Sequence, residues 1–398
     1  MARVGMAFVL FLFSLAIACQ PPISETAESM LSSDKYLEAY DVPIGYENAE
    51  GLFAKHDTTY YACFDNWMYY FDTKTQRSGK LCGKVECTHE DGDCNAYLGD
   101  IIVGSFQIYD QKIYWLGELL YRMDLDGENR EEYRVMDDMG ELDPRCYLHR
   151  GSIYMCGIEH NAKGANVTYT VRILRYSIEN AEAEPETVLE QECQYIPKYI
   201  CRFYRDKLYV LIDARLGMEL SEGYKRDLYE YDIVHKELKN VWSSQDQAHT
   251  RSVSINNEGL EILNLSTDQY TMFTDPELAC TLWKSQYHFA DQSMTEMERY
   301  ETEPGYTDQS MIENWVITSQ IDVIVQEENR VDVKTKYRIY DQNWDLSGTG
   351  EYEGLASMIG EDSMGLLILT DIGSPCKALY RIPYDNMDTV EILIQHGE

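Results

Sequence analysis

Beyond residue 55 the chain alternates apolar and polar positions in short runs, and one run recurs. It is an aromatic residue or Leu, then alternating apolar positions, then Asp. Copies are Tyr69-Tyr70-Phe71-Asp72, Leu120-Tyr121-Arg122-Met123-Asp124, Leu228-Tyr229-Glu230-Tyr231-Asp232, Tyr337-Arg338-Ile339-Tyr340-Asp341 and Leu379-Tyr380-Arg381-Ile382-Pro383-Tyr384-Asp385. Leu174-Arg175-Tyr176-Ser177 carries Ser in place of Asp, and Tyr270-Thr271-Met272-Phe273-Thr274-Asp275 is a weak copy. Such alternation predicts half-buried strands. The closing Asp predicts a turn in which its carboxylate accepts from nearby backbone N–H groups. Other short strands precede most copies, as in Lys112–Trp115, Gly151–Tyr154 and Lys207–Val210.

From Asp72 to Asp385 the copies cover 313 residues (385 − 72) in six steps, about 52 residues each. Short strands in a unit of that length predict an all-β chain, a β-propeller of four-stranded blades. A single blade cannot bury both its faces; a ring of blades hides them and leaves only short edges. Seven copies predict seven blades, with six or eight left open by the weak fifth copy. A strand near Thr58 to Cys63 is available to complete the last blade and close the ring. One helix is expected at Ser293–Tyr300, within an irregular segment, Ser285–Ile312, read as a loop inserted on one rim.

The amino terminus follows another pattern. Arg3 precedes an apolar run, Val4 to Ala18, then Cys19 and Gln20-Pro21-Pro22. Fifteen apolar residues fall short of the roughly 20 needed to span a bilayer, and small residues stand before Cys19. The reading is a lipoprotein signal peptide over 1–18, with Cys19 as the lipid-attachment residue. Two acyl chains anchor durably. Ala16-Ile17-Ala18 also suits ordinary secretion, which is the alternative. Residues 19–55 read as the lipidated Cys and a polar tether, and 56–398 as the propeller domain. The expected location is the extracytoplasmic face of a bacterial cell membrane.

Charge narrows the partners. The formal net charge is −35, from 34 basic and 69 acidic residues. So acidic a chain repels phosphate backbones, which excludes nucleic acid as a partner. The 32 tyrosines favour strands. Eleven cysteines are many, and outside the cytoplasm they permit disulfides.

The sharpest local signal is Cys82, Cys87, His89 and Cys94, spaced C-x4-C-x-H-x4-C. Three readings are open: a disulfide, a bound metal, or free thiols. A disulfide within the loop would leave the third cysteine to pair elsewhere, for instance with Cys63. Three sulfurs and one imidazole would also suit tetrahedral, structural zinc. Either would clamp the excursion after the first blade. No other cofactor is expected.

The stretch Leu81-Cys82…Cys87-Thr88-His89…Cys94-Asn95-Ala96-Tyr97, just after a Tyr-Phe-Asp strand, resembles a group of exported, Tyr-rich propeller lipoproteins of anaerobic gut Firmicutes. Leu120-Tyr121-Arg122-Met123-Asp124-Leu125-Asp126-Gly127 resembles a strand-turn of the same repeats. The resemblance implies fold and location, and it supplies no activity.

Catalytic motifs are missing. No H-E-x-x-H pair, G-x-S-x-G elbow or phosphate loop occurs, so no catalytic residue is assigned. Asp124–Asn129 reads as a hairpin turn rather than a calcium loop. Trp67 and Trp115 are expected in the core, Trp283 and Trp315 near a rim. The functional expectation is a cell-surface lipoprotein whose propeller binds a glycan or protein. The alternative is an extracytoplasmic carbohydrate-active enzyme, a lyase or hydrolase, with its site in the propeller channel.

Overall fold

A computed structural model describes residues 53–397, except 91, 100–104, 135–141, 164–165, 181–182, 219–221, 267–278, 307, 313–314, 326–330 and 373–375. The signal peptide, Cys19 and most of the tether lie outside these residues. Seven antiparallel sheets of four strands each follow one another along the chain. They span residues 53–80, 107–134, 142–193, 198–246, 248–301, 308–353 and 355–397, and we number these blades 1 to 7. First strands of neighbouring blades touch, as in blades 1 and 2, 2 and 3, 4 and 5, 5 and 6, and 6 and 7. The first strands are therefore innermost, and the protein is a seven-bladed β-propeller. No α-helix occurs among the described residues.

Burial explains the sequence pattern. Each sheet is covered on both faces, so the second strands read as apolar runs rather than alternations. In blade 7, Leu366, Leu367, Ile368 and Leu369 are all fully buried. Outer strands touch solvent and turn polar, as in Glu237–Asp246 of blade 4. The core is accordingly a series of inter-blade layers. Tyr147, Tyr154 and Ile173 of blade 3 pack on Tyr199, Phe203 and Leu208 of blade 4; equivalent clusters fill the other interfaces. Tyrosine suits such layers because its ring fills the interface while its hydroxyl reaches a partner. Tyr231 of blade 4 donates to Glu186 of blade 3 at 2.7 Å, and Tyr61 of blade 1 to the Leu125 carbonyl of blade 2 at 3.2 Å.

The closing Asp does what its position predicts. Asp72 accepts from the Lys74 N–H at 2.8 Å. Asp232 accepts from Val234 and His235 at 3.1 and 2.8 Å, and Asp341 from Asn343 at 2.8 Å. Just upstream, third-to-fourth strand pairing shifts register in blades 2 to 7, for example at Leu228/Tyr229 and Leu379/Tyr380. Each bulge adds twist to the outer half of its blade.

Four expectations need correction. Thr59–Phe64 is the second strand of blade 1 and pairs with both its chain neighbours, so no strand is lent to blade 7. Instead, Leu367, Leu369, Leu379 and Ile394 of blade 7 pack on the Phe53 and Tyr60 layer of blade 1. Across the same seam Arg381 donates to the Tyr60 hydroxyl at 2.7 Å and to Asp362 at 3.0 Å. Second, the expected helix is a strand, Met294–Glu301, pairing with Thr281–His288; the Ser285–Ile312 segment is mostly sheet. Third, the weak copy at 270–275 lies outside the described residues. The third strand of blade 5 is Thr281–His288, with His288 in the register position that Asp232 fills in blade 4. Fourth, blade 1 opens at Phe53, three residues before the expected boundary.

Register exposes one anomaly. The fifth residue of each second strand pairs with Met68, Leu120, Ile173, Leu228, Lys284, Tyr337 or Leu379 in turn. All seven are buried, and only one is charged: Lys284 is 1% exposed. Its Nζ has no hydrogen-bond partner among the described residues and lies 5.8 Å from the Trp344 ring centre. Burial pulls its pKa down from the ordinary lysine value. We predict that Lys284→Leu raises stability at pH 7 by about 1–3 kcal/mol, the cost of burying an unsatisfied polar group. Because the folded pKa is lowered, the unfolded chain binds more protons between the folded pKa and the unfolded one. The ionic part of the advantage therefore shrinks as pH rises from the folded pKa toward about 10.4 and is gone above it, where unfolded lysine also loses its proton. Urea unfolding of both proteins at pH 7 and above pH 10 checks this; an unchanged or lower midpoint at pH 7 refutes it.

Candidate metal centre and rim pocket

The fourth strand of blade 1, Arg77–Lys80, has only four residues. It leaves the start of the neighbouring third strand uncovered, and an open edge invites pairing. The chain from Leu81 to Leu98 closes it. Leu81 N–H donates to the Met68 carbonyl at 2.9 Å, Met68 N–H to Ala96 at 2.8 Å, and Leu98 N–H to Asn66 at 2.7 Å. Trp67 and Tyr97 form an isolated bridge, with ring centres 5.1 Å apart.

Inside this loop the donor atoms of Cys82, Cys87, His89 and Cys94 all lie within 4.8 Å of one another. Glu86 and His89 take positive φ (66° and 59°), which folds so short a spacing back on itself. His89 Nδ1 is 3.3 Å from Cys94 Sγ. Cys94 is fully buried and the other three are half-buried. No sulfur–sulfur bond joins the nine cysteines whose side chains are described; all nine are free thiols. Burial pushes the Cys94 thiol up to about 12. Burial also opposes ionisation of Cys82, but N–H groups of Lys84 and Asn95 and the neighbouring thiols outweigh it, so its pKa is lowered. The group could hold a metal ion. Zn–S bonds of about 2.3 Å put tetrahedral sulfurs ~3.8 Å apart, so a modest contraction would complete the shell.

The same loop grips blade 2. Gly83 N–H and the Asn95 amide both donate to the Gly127 carbonyl, at 3.1 and 2.7 Å, and Arg130 donates to the Cys94 carbonyl at 3.3 Å. Gly127 has φ +82°, and a Cβ there would sit 3.0 Å from the Cys82 Cα. Asp124–Asn129 is the expected hairpin turn, with the Gly127 N–H donating to the Asp124 carbonyl at 3.0 Å.

A second feature was not legible in the chain. A half-enclosed cavity of about 480 Å³ lies where the blade 3–4 connection, a blade 4 hairpin and the start of blade 5 meet; its walls include Tyr195, Lys198, Asp213, Arg215, Tyr224 and His249. Asp213 is 3% exposed. It sits 3.4 Å from His249 Nδ1 and accepts from the Thr250 N–H at 2.6 Å. The Tyr224 ring lies 5.0 Å from the imidazole, and Arg215 Nε donates to the Tyr224 hydroxyl at 3.3 Å. Lys198 donates to the Thr250 and Arg251 carbonyls at 3.2 and 2.5 Å. Ile196 and Met218, strongly exposed, form an apolar lip. These residues come from two blades and the connection before them and share no sequence motif, so only the assembled ring reveals them.

Of the tryptophans, Trp115 is buried as expected and Trp67 packs against the blade 1 core. Trp283, expected near a rim, is instead 4% exposed in the third strand of blade 5. Trp315 is half-buried against Tyr384.

No family model matches this chain, and no curated protein matches it. Solved structures do. An oligogalacturonate lyase from Vibrio parahaemolyticus is 12% identical, covering 84% of this chain and 88% of its own, with a TM-score of 0.48. An ulvan lyase is 10% identical, covering 90% and 96%, also at 0.48. The WD40 domain of fission yeast SCAP is 9% identical, covering 84% and 96%, at 0.32. At these values none of them informs on activity.

Burial holds His249 below the ordinary histidine value of 6.5, helped by Lys198 and Arg251 and opposed by Asp213. A histidine buried neutral costs stability once the unfolded chain protonates. Stability is therefore lost as pH falls from about 6.5 toward the folded pKa, above the range where unfolded carboxylates titrate (about 4). We predict a lower urea midpoint at pH 5.5 than at pH 7.5, with a smaller difference in His249→Gln. An equal drop in both proteins refutes the assignment.

Proposed function

We propose that this chain is an exported, lipid-anchored β-propeller that binds a glycan or protein ligand in the pocket between blades 3 and 5. It would then belong with the Tyr-rich lipoproteins its sequence resembles. The observation that carries the binding reading is the pocket itself, a concave site with aromatic walls, an apolar lip and a few converging polar groups. The anchor rests on the Val4–Ala18 run and Cys19. The enzyme reading has one observation of its own: the His249–Asp213 pair is the kind of arrangement used in acid–base chemistry. On either reading the protein works outside the cytoplasm. In cells fed a labelled fatty acid, the full chain takes up label and Cys19→Ala does not. A pool of soluble oligosaccharides and peptides slows hydrogen exchange around residues 195–198, 213–218 and 249. Protection confined to other blades, or an unlabelled chain shed freely into the medium, defeats the proposal.

Cys82, Cys87, His89 and Cys94 hold a structural zinc in this reading. The supporting observation is a Cys₃His donor set with free thiols, held to blade 2 through Gly127. Zinc favours that set, and a closed four-ligand shell is structural rather than catalytic. It would tie blade 1 to blade 2 as the loop's hydrogen bonds do. Metal analysis of protein purified without chelator gives one zinc per chain. Cys94→Ser loses the metal, and chelation lowers the unfolding temperature. A metal-free chain with a Cys82–Cys87, Cys82–Cys94 or Cys87–Cys94 disulfide contradicts this.

A further inference from the structure

We infer that the pocket between blades 3 and 5 selects a carboxylate-bearing saccharide; this rests on the reading of that pocket as the ligand site. The first ground is charge. The chain as a whole stands at −35, and an anionic ligand is repelled by most of such a surface. Around this cavity the balance reverses. Lys198 and Arg215 line it, and Arg251 lies close enough to act electrostatically on His249. Two carboxylates oppose them: Asp213, which is turned to His249 and Thr250, and Glu222, packed against Gly217. A cleft with a net positive balance on an otherwise acidic chain focuses potential and draws in the opposite charge.

The second ground is the form of the walls. Tyr195, Tyr169 and Tyr224 line the cavity, and aromatic rings that carry hydroxyls suit a sugar ring with one apolar face and polar edges. The volume of about 480 Å³ falls in the range of small-ligand sites, ~300–1,000 Å³. Arg215 is the residue that fits the carboxylate. It is half-exposed and lines the cavity, and its Nε is already oriented by the Tyr224 hydroxyl. A planar guanidinium so fixed matches a carboxylate edge in a way a lysine cannot. His249, neutral at physiological pH, adds a hydrogen-bonding edge without adding repulsion or further charge.

The test is a glycan array carrying both carboxylated and neutral saccharides, probed with the full chain in detergent and with Arg215→Gln, Arg215→Lys and Tyr224→Ala. Unfolding midpoints of the variants verify that each is folded. Wild-type protein is expected on the carboxylated saccharides. Arg215→Gln should lose their signal by about tenfold or more, as expected for one charge-assisted hydrogen bond, and Arg215→Lys should recover part of it. Binding to neutral saccharides that Tyr224→Ala abolishes would overturn the carboxylate assignment while leaving the pocket as the ligand site. Binding indifferent to every variant, or no binding to any saccharide, would overturn this inference and would count against the pocket as well.

Discussion

The structure depends on one constraint: every four-stranded sheet here is apolar on both faces. A sheet with one apolar face can pair with a single partner and stop. A sheet with two must find a neighbour on each side, and so must its neighbours. The only finite arrangement without a bare face is a ring. Leu366 through Leu369 show the demand in miniature, because consecutive residues point to opposite faces and all four are buried. The inter-blade layers, the outward polarity of the fourth strands and the recurrent bulge all follow from that demand. The abundance of tyrosine does as well, since it fills a layer and still satisfies its hydroxyl across the blade boundary.

A ring built this way has one special seam, where the last blade meets the first. Among the described residues no strand crosses it, and each blade is contiguous in sequence. Closure relies on the same apolar layer as elsewhere, together with a buried polar knot of Tyr60, Asp362 and Arg381. Arg381 and Asp362 pair within it at 3.0 Å, as buried charges must. Blade 1 has a second weakness in its short fourth strand. The Leu81–Leu98 loop covers that edge and grips the Gly127 turn of blade 2. The loop that carries the Cys-His cluster thus belongs to the blade that also borders the seam, and ties it to blade 2 on its other side.

How much of this was legible depended on whether a signal was local. The Asp-terminated strands were readable because a carboxylate capping the next two or three N–H groups is a short-range device. The Cys-His cluster was readable for the same reason, since its four donors lie within thirteen residues of one another (82 to 94). The fifth blade was hard to read where the device changes, with His288 in the register position that Asp232 fills in blade 4. Ser293–Tyr300 was misread because Met294, Met297 and Tyr300 fall three apart, a helical spacing. Pairing with Thr281–His288 overrides that local preference. The pocket had no local signature at all. Asp213 and His249 stand 36 residues apart (249 − 213) in strands of different blades, and only ring geometry brings them within 3.4 Å.

The pocket's chemistry follows from that origin. Its parts are carried at the ends of strands in a packed ring, so the cavity is formed before any ligand arrives and little ordering remains to oppose binding. Asp213 sits behind His249 Nδ1, where a buried carboxylate favours the tautomer with the proton on that nitrogen. Burial and the neighbouring cations keep the imidazole neutral. A neutral imidazole held in one orientation serves equally to recognise a ligand or to accept a proton from it. The protein side of the site is the same in both cases. What separates a binding propeller from an enzyme is therefore whether the bound ligand presents an acidic proton to the imidazole, beside a carboxylate that Arg215 can hold.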